Sequence, residues 1–213
     1  QPADRSALIL PRNLADQMQE RGYAVIRNLL NLDDIRSLRE SCEAFFLSKT
    51  HMRSNLGRNM PDATRHVPAI HWLYSHPNVL AAFRAALGRD DIVFTRHCDV
   101  AMNRLSSWHR DSGGPTPYFS GDYIADDECR VYKMALYLQP HGADGNGLWV
   151  RHGTHRKHDQ NDGEIRHLET ELGDAVVFDV RLTHSGQFGD RFETWLKRLG
   201  SLILRTGNRK HDH

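Results

Sequence analysis

The first third of the chain carries apolar residues at helical spacing. Short polar residues from Asn31 onward can cap the free N–H groups of a first helical turn, and the acidic residues that follow suit the helix dipole. Apolar positions then recur every three or four residues to about Leu47, namely Ile35, Leu38, Cys42, Phe45 and Phe46. The pattern predicts a helix over residues 31–47.

Shorter elements are predicted on both sides of this helix. Leu14–Arg21 is an amphipathic stretch, and residues 22–27 form a brief apolar run typical of a strand. Residues 50–66 are polar with Gly and Pro, which favours a loop. A further helix is predicted over Pro77–Leu87, with Gly88 ending it.

After Gly88 the pattern changes to β-rich segments broken by Gly, Pro, Asn and Asp, at residues 92–105, 131–138, 148–150, 175–180 and 199–205. Helices followed by strands predict an α+β, mainly β fold in which N-terminal helices pack on one side of an antiparallel core. A double-stranded β-helix, the cupin-like jelly roll, fits because its tapered interior can hold a ligand site.

Length and charge limit the possible functions. The 213 residues, 39% of them apolar, suffice for one domain, with residues 1–90 as mainly helical support and residues 91–206 as the β-core. The net charge of +1 gives no electrostatic case for nucleic acid. No apolar run approaches the roughly 20 residues of a membrane span, and no signal-peptide pattern opens the sequence. The expected partner is a small-molecule substrate; the oligomeric state stays open.

Three cysteines, Cys42, Cys98 and Cys129, form an odd number without CxxC spacing. That spacing argues against a disulfide framework and against a zinc knuckle. A reducing, cytoplasmic setting is therefore expected.

Two His-x-Asp sequences are candidates for metal binding. In an extended chain, residues two apart point to the same face, so His109 and Asp111 can converge on one ion. A second histidine from a distant strand would complete a set of two imidazoles and one carboxylate, which leaves coordination positions open on Fe(II). His184 ends a predicted strand in a suitable place. Taken alone, His109 and Asp111 fit an ordinary polar role equally well.

The rival is His97-Cys98-Asp99. It is placed inside the predicted strand at residues 92–105, with too little chain before it to supply a preceding β element. Polar residues lining one face of that strand are the preferred interpretation of His97 and Asp99.

Longer segments carry a family resemblance. Residues 145–155 (GNGLWVRHGTH) and 173–186 (GDAVVFDVRLTHSG) resemble the phytanoyl-CoA dioxygenase (PhyH) family of Fe(II)/2-oxoglutarate-dependent oxygenases, and residues 20–30 look like its opening helix, strand and turn. The order is correct over nearly the whole chain. One departure is visible: His152 and Thr154 stand where the family's Pro-Gly-Ser-His segment has proline and serine.

The resemblance implies an iron-dependent dioxygenase that uses 2-oxoglutarate and O2, with His109, Asp111 and His184 as catalytic metal ligands. Asp111 speaks against a halogenase, because those relatives lose the carboxylate. The family also implies an arginine, downstream of the distal histidine, for the far carboxylate of 2-oxoglutarate. Arg198 is chosen because it opens the last predicted strand, whereas Arg191 follows Gly189-Asp190 in a loop and Arg205 lies at the strand's far end.

The substrate is less determined. Residues 112–130 contain aromatic residues and the acids Asp126, Asp127 and Glu128, which would suit a lid over a cationic or polyhydroxylated guest, although a solvated loop explains them too. The preferred hypothesis is oxidation of an unactivated C–H bond in secondary metabolite biosynthesis, on a sugar- or amino-sugar-containing compound. Two alternatives stay open: a cupin-type enzyme with Zn or Mn that needs no 2-oxoglutarate, and a non-catalytic sensor or binding module on the same fold.

Overall fold

The computed structural model describes residues 7–48, 58–102, 106–112, 119, 122–142 and 147–186. The predicted strand at residues 199–205 lies outside these ranges, as do Arg191, Arg198 and Arg205.

The predicted helices are confirmed. Helix α1, Leu14–Arg21, ends at Gly22, whose φ of 82° favours glycine. A Cβ there would also lie 2.6 Å from the His155 Nδ1 atom. Helix α2, Leu32–Ser48, is capped by the Asn31 side chain, which accepts from the Asp34 N–H at 2.8 Å. It buries Ile35, Leu38, Cys42 and Phe46.

Residues 50–66 are not only a loop, so that prediction is wrong in its second half. Strand β2, Arg58–Met60, and the short helix α3, Ala63–His66, lie there. A 3₁₀ helix, Pro68–Ser75, then leads to helix α4, Pro77–Leu87. The polar composition concealed these elements because both are short and buried only in part, through residues such as Met60 and Ala63.

The long strand predicted over residues 92–105 is also corrected. Strand β3 covers only Val100–Met102 among the described residues, and Arg96 has a φ of 61°. That left-handed residue interrupts the extended chain. His97 and Asp99 are therefore not inside a strand.

Five further strands are antiparallel to their neighbours. They are β4 (Tyr132–Leu136), β5 (Leu148–Arg151), β6 (Ile165–Leu168), β7 (Ala175–Asp179) and β8 (His184–Ser185). Strand β1, Tyr23–Ile26, lies beside β7, giving one sheet in the order β1-β7-β4. A second sheet has the order β6-β5-β8, and β2 pairs with β3. Strand β6 was not predicted; its exposed end and charged residues weaken the apolar signal.

The sheet β1-β7-β4 separates two apolar clusters. One face packs on the helices, with Met134 of β4 and Val177 of β7 in that cluster. The opposite face carries Val176 and Phe178 of β7, which cluster with Leu148 and Val150 of the sheet β6-β5-β8. Helices therefore cover one side of an antiparallel pair of sheets, as the sequence predicts. No helix within the described ranges combines the length and apolarity needed to cross a lipid bilayer.

Candidate metal centre

The two candidate histidines lie directly opposite each other on neighbouring segments. The His109 N–H donates to the His184 carbonyl at 3.0 Å, and the His184 N–H donates to the His109 carbonyl at 2.9 Å. This reciprocal pair of backbone bonds sets the imidazole rings 4.3 Å apart, centroid to centroid. Residues 75 positions apart in sequence (184 − 109) are thereby fixed on one edge of the fold.

Asp111 completes the group from the same face as His109. Its Oδ1 lies 3.5 Å from His109 Nε2, and its Oδ2 lies 3.7 Å from His184 Nε2. One ligand atom from each of the three residues lies within 4.8 Å of the other two. The Asp111 N–H donates to the Val180 carbonyl at 3.0 Å, so the turn before His184 also fixes the carboxylate's backbone.

The backbone orients both rings toward Asp111. His109 Nδ1 lies 2.7 Å from the Ser107 carbonyl, and His184 Nδ1 lies 3.0 Å from the Leu182 carbonyl. A carbonyl only accepts, so in the neutral form of each ring Nδ1 carries the proton and Nε2 has the lone pair that a metal needs. Such outer hydrogen bonds are what metal-ligating histidines commonly make. Two neutral imidazoles and one carboxylate fit Fe(II) with open coordination positions.

Burial and charge act differently on the three groups. Burial lowers the pKa of His184, whereas the hydrogen bond to Asp111 raises the pKa of His109. Burial alone would raise the pKa of Asp111, but His109, His184 and Lys133 together hold it below its usual range. The carboxylate is therefore ionised and ready to bind a cation.

Lys133 is a neighbour that the sequence analysis missed. Its Nζ lies 3.0 Å from Asp111 Oδ2, and its side chain is 38% exposed. The residue belongs to strand β4, at the start of the inner face that Ala135 and Tyr137 continue. A signal was present, because Lys133 is the one charged residue in the apolar run at residues 131–138.

Arg181 lies in the turn between strand β7 and His184, and the sequence analysis missed it as well. Its side chain is 4% exposed, and its guanidinium forms a two-point ion pair with Asp179, at 3.0 Å from Nε and 2.8 Å from Nη2. Its remaining N–H groups donate to the carbonyls of Tyr123, Asp126 and Cys129 at 2.7–3.0 Å. Although burial lowers it, the pKa of Arg181 is raised by Asp179. Arg181 therefore ties the segment around residues 123–129 to the turn that leads to His184.

The rival pair stands elsewhere. His97 Nε2 lies 3.5 Å from Asp99 Oδ2, but among the described residues the group of three metal-ligand candidates includes neither. Asp99 Oδ1 instead accepts from the Asp62 N–H at 3.2 Å.

The acids of residues 112–130 make contacts within the protein where they are described. Asp127 pairs with Arg156 at 3.0 Å, and Asp126 Oδ1 accepts from the Glu128 N–H at 2.9 Å. The Tyr123 hydroxyl donates to the Ser112 carbonyl at 3.0 Å, next to Asp111. Residues 113–118 lie outside the described ranges, as does Arg198.

Comparison with known proteins gives a family and a fold. The family model of phytanoyl-CoA dioxygenase (PhyH) matches residues 18–187. Among solved structures, the epimerase SnoN from nogalamycin biosynthesis, described as non-heme and alpha ketoglutarate dependent, matches with a TM-score of 0.62 at 14% identity, over 83% of this chain and 75% of that chain. EctD from S. alaskensis, solved with 2-oxoglutarate and 5-hydroxyectoine, matches with a TM-score of 0.62 at 15% identity, over 84% and 71%.

AviO1 from Streptomyces viridochromogenes Tue57 matches with a TM-score of 0.55 at 18% identity, over 85% of this chain and 90% of that chain. At these identities the structures show the fold alone. No curated protein sequence matches the chain.

Proposed function

This chain belongs to the phytanoyl-CoA dioxygenase (PhyH) family of Fe(II)- and 2-oxoglutarate-dependent dioxygenases, and from that premise we propose that it oxidises an unactivated C–H bond of a small polar natural product. The observation that carries the proposal is the convergence of His109, Asp111 and His184, whose ligand atoms lie within 4.8 Å of one another. We assign the iron to these three residues.

The three residues divide the work of holding the metal. His109 and His184 present Nε2 lone pairs because their Nδ1 protons are bonded to backbone carbonyls. Asp111 supplies the negative charge. When bound, iron and 2-oxoglutarate supply the oxidation of the substrate by O2, with succinate and carbon dioxide as co-products.

Apolar residues around His184 keep water from that side of the proposed metal site. The His184 side chain is 7% exposed, and the Phe178 ring lies 4.8 Å from its imidazole. Val150, which is fully buried, pairs with His184 across β5 and β8. An apolar wall strengthens the electrostatic interactions of Asp111 because it excludes solvent.

The same proposal covers the architecture. We expect the two larger sheets to close into a double-stranded β-helix, with the whole chain forming one domain. Pairing of β1 with β7 supports this, because it joins the N-terminal part of the chain to the strand that precedes His184.

The far carboxylate of 2-oxoglutarate requires a cation. Arg198 remains our choice from the sequence, since it would open the strand predicted at residues 199–205 and a guanidinium can pair with both carboxylate oxygens.

For the substrate we propose a tailoring step on a natural product, with a sugar- or amino-sugar-containing compound as the preferred class. Support comes from the similar structures, among them an epimerase and a carbocyclase from nogalamycin biosynthesis. Because Asp127 already pairs with Arg156 within the protein, the polyhydroxylated guest is favoured over the cationic one.

The test is reconstitution of the purified chain with Fe(II) and 2-oxoglutarate. We expect slow succinate formation without substrate, and faster formation when glycosylated natural products are added, with mass spectrometry showing products that gained oxygen or lost hydrogen. His184→Ala should abolish both. An enzyme that never consumes 2-oxoglutarate with iron bound would refute the proposed function.

A further inference from the structure

Lys133 is a charged residue on an otherwise apolar inner face. Strand β4 turns Tyr132, Met134 and Leu136 toward the helices and turns Lys133, Ala135 and Tyr137 toward the second sheet. The Lys133 side chain is 38% exposed, so its ammonium group is partly desolvated and a counter-charge beside it is favourable. Asp111 provides it, with Lys133 Nζ 3.0 Å from Asp111 Oδ2.

We propose that Lys133 is a positioning residue that holds Oδ2 of Asp111, so that only Oδ1 coordinates the iron. The inference rests on the proposed role of Asp111 as a ligand. Oδ1 is the oxygen nearer His109 Nε2, at 3.5 Å, whereas Oδ2 lies 3.7 Å from His184 Nε2 and is the oxygen that Lys133 approaches. Oδ2 forms the ion pair with Nζ, and an interaction between charged groups is stronger than one between neutral groups.

The consequence concerns the open positions on the metal. Held by one atom from each of His109, Asp111 and His184, an iron ion would keep room for both donor atoms of 2-oxoglutarate and for oxygen. A carboxylate free to rotate can bind through both oxygens and fill one of those positions. Lys133 prevents this by occupying the second oxygen.

The backbone of Lys133 is fixed relative to the ligands. It pairs with Phe178 of strand β7, and the Phe178 ring contacts His184. The turn after β7 accepts the Asp111 N–H through Val180. Strand β7 and the turn after it therefore position all three residues, Lys133, Asp111 and His184. The ammonium group approaches the carboxylate from a defined direction.

The experiment compares the wild type with Lys133→Met, which keeps the length of the side chain and removes its charge. Co(II), a spectroscopic substitute for Fe(II), is titrated in without 2-oxoglutarate and its visible absorption recorded. Affinity for 2-oxoglutarate is then measured anaerobically on the Fe(II) protein through the visible charge-transfer absorption of the complex. Lys157→Met is the matched control, because Lys157 pairs with Asp162 at 2.9 Å on the surface.

We expect Lys133→Met to change the Co(II) spectrum and to weaken 2-oxoglutarate binding by about tenfold or more, equivalent to about 1.4 kcal/mol. Lys133→Arg should restore much of both, and Lys157→Met should resemble the wild type. An unchanged melting temperature of Lys133→Met would show that the effect is local.

Three results would overturn the proposal. The first is an unchanged Co(II) spectrum with unchanged 2-oxoglutarate affinity. The second is an unchanged Co(II) spectrum with weakened 2-oxoglutarate binding, which would mean that Lys133 contacts the oxo-acid directly. The third is tighter metal binding with an unchanged spectrum, which would mean that the ammonium competes for the metal position. Failure of the proposed function looks different: Co(II) binding in the wild type would then not depend on Asp111.

Discussion

Two His-x-Asp pairs in this chain have the same distance between imidazole and carboxylate and different surroundings. The imidazole Nε2 lies 3.5 Å from a carboxylate oxygen in both, in His97-x-Asp99 and in His109-x-Asp111. The two histidines are equally exposed, at 40% and 39% of the side chain. The aspartates differ, since Asp99 is 41% exposed and Asp111 only 19%.

The difference comes from what lies across from each pair. His109 bonds through its backbone to His184, and Asp111 bonds to the turn before it. The segment with His97 instead bonds to the first residue of helix α3, because the Cys98 carbonyl accepts from the Ala63 N–H at 2.6 Å. Local spacing therefore makes a pair, and only a cross-strand partner far away in sequence makes a site.

The largest effect is expected from removing that partner. His184→Ala reduces the second pair to the condition of the first, because a metal would lose a ligand that the fold holds in place. His184→Ala, His109→Ala and Asp111→Ala should each abolish turnover and lower Fe(II) affinity severely, while circular dichroism stays near that of the wild type. His97→Ala is the control and should retain activity.

Two outcomes would contradict this assignment. One is a fully active His184→Ala protein with stoichiometric iron. The other is an inactive His97→Ala protein beside an active His109→Ala protein, which would transfer the metal role to the first pair.

The next largest effect is expected at the turn between strand β7 and His184, which contacts the pair His109-x-Asp111 and not the pair His97-x-Asp99. Arg181→Met leaves the Asp179 carboxylate, which is 1% exposed, without its ion-pair partner. Breaking a buried pair in this way costs about 3–5 kcal/mol. Chemical denaturation should show that loss. Arg166→Met, which removes the exposed pair with Glu164, should change stability little. A mild Arg181→Met variant would mean that the turn is held mainly by its backbone bonds.

The contrast also explains what the sequence could predict. Helices α1, α2 and α4 follow from periodic apolar residues and their caps, and strand β7 follows from the apolar run after Gly173-Asp174. The three proposed ligands, which the structure brings together, are predicted by a spacing and by the order of family segments. Lys133 and Arg181 are not, because their roles depend on partners 22 and 58 residues away, Asp111 and Tyr123 (133 − 111 and 181 − 123).

Short elements were the other failure. Strand β2, helix α3 and strand β6 each have three or four residues, which is too few for a periodic signal. The positions of the two strands depend on pairing with β3 and β5. The sequence analysis discounts His97 as a ligand because it places the residue inside a strand, but in the structure His97 lies outside strand β3. What separates His97 from His109 is that no third metal-ligand candidate lies opposite it within the described ranges.

A smaller effect is expected at the co-substrate. Arg198→Ala should raise the 2-oxoglutarate concentration needed for half-maximal activity by about tenfold or more, because it removes a charge-assisted pair from a carboxylate. The Fe(II) requirement should change much less, since no ligand is lost. Arg191→Ala is the matched variant and should resemble the wild type. If only Arg191→Ala is impaired, the predicted strand register is wrong.

The smallest effect is expected at the first pair, and it tests whether that pair has a structural role of its own. Asp99→Ala removes the acceptor of the Asp62 N–H, next to the start of helix α3, where Asp62 itself has a φ of 50°. One hydrogen bond at a half-exposed position contributes about 0.5–1 kcal/mol, so thermal unfolding should shift by a few degrees at most. Fe(II) affinity and turnover should equal those of the wild type, because none of the residues that the structure describes joins this pair as a third ligand. Loss of iron in Asp99→Ala, with the fold intact, would show that the two pairs are not as different as their surroundings indicate.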